Sequence, residues 1–426
     1  MSVSFRLGRG LAALVPLLLM SSSAFADPPP LPPSLTLARA LALAHENNQV
    51  AAAARMRIGE AEGTLTAASV LLNQNPRLSV EAGPRTSGAS GSSVDVGVGL
   101  QQRLEIAGQR SRRRAAARAQ LAATQASAED VQRVVDMAVA QSFYAALAAE
   151  RRFALFEESE GLATQLRDIA LRRVEAGEGV PLEVATARIR LAEAQRRRIM
   201  ARVESETELV RLATLLGAGH ARGLTLQGDL PESQAAPSAA QLVADAVARR
   251  PDLAAAGRRV DAAEANRRLA NAEAWPDITV RVALSREGDE NIIVAGLQVP
   301  LPFFQRNQGQ RQRSRAALER RRAEAEALRL EVQSEVSRAL LAYEQARHAL
   351  ELYDAEVLQA QAESLSLLQR SFESGEIGIA DVIVMQRELL EGRQGYLTAR
   401  RALALARAAL LAAAHLPQTQ ALSGAQ

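Results

Sequence analysis

Two carboxylates stand at matching places in the chain. Glu183 follows the turn Arg173-Val174-Glu175-Ala176-Gly177-Glu178, and Asp381 follows Ser371-Phe372-Glu373-Ser374-Gly375-Glu376. The two stretches superpose without gaps at one constant offset. An acid at a helix start is favourable in itself, because the macrodipole places partial positive charge there. Repeated around an axis in an assembly, the same acids would instead form a ring that gathers cations and repels anions. Arg172, Arg173 and Arg370 lie one turn away, where ion pairs could hold the turn. Little else in the chain suggests chemistry. His45, His220, His348 and His415 are scattered singly, with no metal-ligand spacing around them. There is no G-x-S-x-G elbow and no phosphate loop, so the sequence points away from an enzyme and away from a cofactor.

Composition narrows the class. The chain is 48% hydrophobic but 3% aromatic, so its apolar mass is Ala, Leu and Val, which suits close-packed helices. Charged residues at 23% argue against a chain built mainly of membrane-spanning helices. All basic residues are Arg and the net charge is only +3, which does not point to nucleic acid. Residues 1–26 read as a cleavable signal peptide: Arg6 and Arg9, then the apolar run Leu11 to Met20, then Ala24-Phe25-Ala26. With no Cys, the exported chain has neither disulfides nor a cysteine for lipid attachment.

The turns belong to long elements. Between Gly108 and Gly161 there is no Gly, and from Ile106 to Arg173 no Pro, in a stretch of Ala, Arg, Glu, Gln and Leu. Such residues predict a helical rod of roughly 100 Å, too long for one compact domain. Residues 27–34 form a Pro-rich leader, expected to be extended and poorly ordered. A first repeat over 35–216 contains a helix to Leu72, stopped at Asn75-Pro76, then a hairpin, the rod, and a helix from Pro181 to Leu216. Residues 217–237 are a linker with room for a strand at Leu224-Thr225-Leu226. A second repeat over 238–416 restates the order, with its stop at Trp275-Pro276 and its rod over Asn307 to Ser374; 417–426 is a tail. The second rod carries a heptad seam including Val332, Val336, Tyr343 and Leu367; the first has a poorer one through Val134, Ala138 and Ala145.

The hairpins alternate with period two. Leu78 and Val80, then Val94, Val96, Val98 and Leu100, share one face; Ile278, Val280, Val282 and Leu284 do the same in the second repeat. Strands of about nine residues suit a bilayer crossed at a tilt. Four strands cannot close a barrel, since the smallest bacterial kind uses about eight, so copies of the chain would have to pool them. Trp275, Phe303 and Phe304 stand at the strand ends nearest the helices. They suit either an aromatic belt at a membrane interface or packing in a helix–sheet junction.

This ordered combination resembles the TolC-type outer-membrane efflux channels over about Leu35 to Leu416. The resemblance rests on the two repeats, the signal, the paired hairpins and the turns at Gly177 and Gly375. Leu301-Pro302-Phe303-Phe304-Gln305-Arg306-Asn307-Gln308-Gly309, with its counterpart Leu104-Glu105-Ile106-Ala107-Gly108-Gln109-Arg110, resembles the CzcC-like (cobalt-zinc-cadmium efflux) branch. The resemblance implies a mainly α fold with a small membrane β part. Long antiparallel helices would form an α-barrel, and four strands per chain would close as a trimeric, 12-stranded β-barrel in the bacterial outer membrane. It implies a homotrimer set in outer-membrane lipid, with a periplasmic adaptor (membrane fusion) protein and an inner-membrane pump as partners. Residues Gly177, Glu183, Gly375, Asp381, Arg173 and Arg370 would then be the periplasmic tip and gate, and Leu78, Val80, Val94, Val96, Val98, Leu100, Ile278, Val280, Val282 and Leu284 would face lipid. The first tip departs from the second in having Pro181 and Glu183 where the second has Ile379 and Asp381. The expected cargo is divalent heavy-metal cations, with organic compounds as the alternative. The rival of another class is a soluble periplasmic adaptor or scaffold of helical hairpins.

Overall fold

The computed structural model describes residues 31–420 apart from 87–91, 222, 288, 354–358, 360–362, 365–366, 369, 373 and 375. Its elements run β1 (Ser34–Leu35), α1 (Leu37–Asn47), α2 (Gln49–Ser69), β2 (Arg77–Thr86), β3 (Ser92–Leu104), α3 (Gln109–Glu175) and α4 (Pro181–Leu215). They continue as β4 (Thr225–Leu226), α5 (Ala239–Arg249), α6 (Pro251–Ala272), β5 (Ile278–Glu287) and β6 (Glu290–Gln298). Then come α7 (Gln308–Glu351) and α8 (Ile379–Ala413). The rod α3 has 67 residues, about 100 Å at 1.5 Å each. It packs against α2 and α6 and also against α4 and α8.

Each repeat begins with two helices where the sequence suggests one. The first breaks at Asn48, whose side chain accepts from the backbone N–H of Val50 and Ala51, both at 3.0 Å, and so caps a fresh helix. Asn48 also donates to the Leu215 carbonyl at 2.8 Å, tying the break to the end of α4. The second breaks at extended Arg250, with Pro251 in the first turn of α6. Gly217 completes the first junction with φ +77; a Cβ there would lie 2.5 Å from the Asn47 carbonyl oxygen.

The end of the leader at residues 31–34 is more ordered than its prolines suggest, while the expected signal peptide at 1–26 lies outside the described residues. Ser34–Leu35 pairs in parallel with Thr225–Leu226, the strand expected in the linker. The Thr225 N–H donates to the Pro33 carbonyl at 3.0 Å.

Two equivalent apolar clusters form the waist. One joins α1, α3 and the end of α4 through Leu43, Val139, Phe143, Leu147 and Leu212. The other joins α5, α7 and the end of α8 through Leu242, Val332, Val336, Tyr343 and Leu411. The seam of α3 departs from the expected register at its start, where Val135 and Val139 are buried and Val134 is exposed, while Ala145 is buried as expected. At the far end of the second rod Leu368 is buried and Leu367 exposed. A rod touched on several sides selects its own buried face, so a two-stranded heptad is a poor template for it.

Candidate functional site: the two ends of an open sheet on long helices

The four long strands form one antiparallel sheet in the order β2-β3-β5-β6, so the two hairpins join through β3 and β5. Leu78 faces Leu100, which faces Val282; Val80 faces Val98, which faces Leu284 and then Ile293. These residues, with Val94, Val96, Ile278, Val280 and Leu297, lie on one side of the sheet. Leu78, Val80 and Ile293 are about 70% exposed in the single chain (69%, 67% and 76%). Monomeric soluble proteins rarely expose so continuous an apolar surface.

The other side is polar. Arg85 of β2 pairs with Glu287 at 3.0 Å and with Asp95 at 3.4 Å, Arg281 lies 4.0 Å from Glu81, and Arg103 meets Asp277 at 2.7 Å. Gly97 and Gly99 lie on this side, and a Cβ on Gly99 would come within 2.8 Å of the Ser79 hydroxyl. The outer edges, β2 and β6, have no neighbouring strand among the described residues. One sheet therefore has an oil-compatible face, a charged face and two open edges.

Below the sheet both rods begin with the same turn. Gly108 (φ 74) and Asn307 (φ 56) precede α3 and α7 in the left-handed region, which Gly and Asn tolerate best. The Gln109 side chain accepts from the Ala107 N–H at 2.8 Å, and the Gln308 side chain from the Arg306 N–H at 2.7 Å. Gln109 is buried and also donates to Asp277 at 3.0 Å, linking the two repeats. Neither glutamine stood out from the sequence, although both fall inside the segments that carry the branch resemblance. Trp275 and Phe304 line one recess together with Arg103, Glu105, Arg113 and Leu301. Trp275, Phe303 and Phe304 are all exposed, so the rings are not packed into the junction of the single chain.

At the opposite end the two turns come together. Leu166, Ile169, Val184, Phe372, Val382 and Ile383 form one buried cluster. Gly177 takes φ +78, and the Arg173 carbonyl accepts from the N–H of Glu178 at 2.9 Å and of Gly179 at 3.0 Å. Asp381 accepts from the Gly378 N–H at 3.3 Å and so caps its own helix. Glu183 lies in the first turn of α4, and one of its carboxylate oxygens is buried with no hydrogen-bond partner among the described residues. Arg173 does not form the expected ion pair: it donates to the Phe372 carbonyl at 3.2 Å and lies over that ring at 5.5 Å. That contact crosses between the repeats, and the ring offers the cation a partner without a carboxylate. Arg370 is exposed, and Gly375 lies outside the described residues.

A charged knot holds the waist between these ends. Buried Arg250 reaches Asp252 at 2.6 Å, Glu335 at 2.8 Å and the Ala413 carbonyl at 3.0 Å. Burial works to raise the Asp252 carboxyl, but Arg250 and then Arg133 hold it below the usual carboxylate range. Burial, with Arg133 and Arg250 close by, pushes the His415 imidazole down. Among the described residues no group of three or more acids and histidines could hold a metal ion, and no helix is long and apolar enough to cross a membrane.

The family model described as "Outer membrane efflux protein" matches residues 40–218 and 242–414. The chain belongs to the outer membrane efflux protein family. It is thus an outer-membrane efflux channel and not an enzyme, as the resemblance implied. It is similar to the cobalt-zinc-cadmium resistance protein CzcC of Cupriavidus metallidurans, at 27% identity over 365 residues, 85% of this chain and 86% of that one. Its fold is similar to the open-state MtrE outer membrane channel of Neisseria gonorrhoeae, with TM-score 0.72 and 19% identity over 90% of this chain and 91% of that one. It is also similar to CusC, whose structures concern transmembrane channel formation, with TM-score 0.69 and 19% identity over 91% and 92% of the two chains.

Proposed function

We propose that three copies of this efflux channel pool their sheets into a 12-stranded outer-membrane barrel continued by an α-helical conduit through the periplasm. The observation that carries this reading is the sheet itself, apolar on one side, charged on the other and open at both edges. A lone four-stranded sheet of this kind leaves edge hydrogen bonds unmade in hydrocarbon, and closure on copies of itself makes them. The signal peptide at 1–26 delivers the chain for export. Leu78, Val80, Val94, Val96, Val98, Leu100, Ile278, Val280, Val282 and Leu284 face lipid, and the ion-paired face lines water.

The end that carries the Gly177 turn and the starts of α4 and α8 is the periplasmic entrance, where an adaptor and an inner-membrane pump deliver cargo. Export energy comes from the pump. Divalent heavy-metal cations are the cargo, a reading supported by the similarity to CzcC and by carboxylates at the entrance that favour cations.

Two measurements test this. Native mass spectrometry of the detergent-extracted protein gives the trimer mass if the reading holds and the monomer mass if it does not. In planar bilayers, Glu183→Ala with Asp381→Ala lowers cation preference; unchanged selectivity removes the two acids from the entrance filter.

A further inference from the structure

We propose that the sheet-proximal starts of α3 and α7 form an arginine belt that binds anionic phospholipid headgroups of the leaflet facing the helices. This rests on the reading that the apolar side of the sheet meets lipid. Arg112 and Arg114 on α3, and Arg313 and Arg315 on α7, lie within about 10 Å of their helix starts, at 1.5 Å per residue. All four are exposed, and their side chains have no hydrogen-bond or ion-pair partner among the described residues.

Their placement works against the helices they sit on. Cations near a helix start oppose the macrodipole, and the first turns of α3 and α7 contain no acid. Nor is there an acid near them along the chain: no Asp or Glu occurs between Glu105 and Glu129, or between Glu290 and Glu319. Further along α7 the pattern reverses. There Arg321 pairs with Glu324 at 2.8 Å and Arg322 with Glu319 at 3.1 Å. The starts of both rods thus carry arginines with no acid near them in sequence.

The surface next to it identifies the partner. Passing from the sheet to the rods, the chain presents exposed Leu, Val and Ile, then exposed Trp275, Leu301, Phe303 and Phe304, then the arginines. That is the order of a phospholipid: acyl chain, interface, phosphate. Arginine pairs with phosphate through a two-pronged fork, and each cation near an anionic leaflet adds to the attraction within a Debye length.

The test uses the full-length mature channel in phosphatidylcholine nanodiscs with and without phosphatidylglycerol, with retained lipid read by native mass spectrometry. The wild-type channel retains phosphatidylglycerol over phosphatidylcholine by about tenfold, an excess that added salt weakens. With Arg112→Gln, Arg114→Gln, Arg313→Gln and Arg315→Gln together, the preference falls to near parity while insertion and conductance persist. Lysine at the same four positions keeps the preference, which separates lost charge from lost folding. An undiminished preference in the glutamine variant overturns the belt. So does a variant that changes ion selectivity and leaves lipid preference alone, since the arginines then line the conduit. A wild-type channel that fails to insert in either lipid overturns the reading of the sheet and the belt with it.

Discussion

The two ends of the molecule start their helices in opposite ways. At the turn end, α4 begins with Pro181, α8 follows the N-cap Gly378, and the two helices place Glu183 and Asp381 in their first turns. Local helix electrostatics is satisfied there, and Asp381 adds a cap. At the sheet end, α3 and α7 begin after a left-handed residue, have no first-turn acid and carry several arginines. Helix preference alone would not select that pattern. The difference teaches that surroundings write the sequence at the sheet end, where the chain passes from an apolar sheet into water, while the turn end is closer to a self-sufficient helical junction.

The largest effect is expected where the surroundings matter most. Leu284→Arg, in the middle of the apolar side, costs about 2–4 kcal/mol in each of the three copies if that side lies in hydrocarbon, and so prevents outer-membrane assembly. Ser285→Arg puts the same charge on the side that already carries Arg281 and Arg85, and assembly persists. Quantifying trimer in outer-membrane fractions checks both; equal tolerance of the two would erase the distinction between the sides.

Next in size is the waist, which must be stiff for the two ends to be independent. Arg250→Ala strands Asp252 and Glu335 and frees the Ala413 carbonyl, at an expected cost of about 3–5 kcal/mol in thermal unfolding followed by circular dichroism. At the turn end, Asp381→Ala removes the first-turn acid that closes the capping box and costs about 0.3–1 kcal/mol in the same assay.

The smallest effect is on pH. His415 has a depressed pKa, so the unfolded chain binds its proton more readily than the folded one. Its contribution to stability is present above its ordinary value of 6.5 and is lost as pH falls through the folded value. Asp252, also depressed, adds a second loss below about 3.9. His415→Asn, which keeps the left-handed backbone accessible, flattens the first loss and leaves the second.

Much of this architecture was legible in the sequence because its signals are periodic. Alternation in Val94 to Leu100 and in Ile278 to Leu284 marked one side of each hairpin, and the pairing of β3 with β5 brings those sides into register. The breaker-free first rod and the Gly177 turn were equally plain, whereas α7 ends at Glu351, short of the Ser374 expected for the second rod, at a break that no Gly or Pro announces. Other features depend on contacts distant in sequence. The helix break at Asn48 rests on a capping side chain inside a helical pattern, and the β1–β4 pair joins segments about 190 residues apart. Arg173 bonds a residue of the other repeat, so spacing within its own turn suggested a carboxylate partner it does not take. Gln109 and Gln308 are ordinary helix formers by type, and only the turn they close reveals their work.

The claim beneath all of this is that one side of the sheet touches hydrocarbon and the other touches water. The chain contains no cysteine, so single cysteines placed successively from Val94 to Leu100 report on β3 without background. In intact outer membranes, a water-soluble thiol reagent should label positions 95, 97 and 99 and spare 94, 96, 98 and 100, with the spared set open to a lipid-soluble reagent. Equal aqueous labelling on both sides would contradict the account.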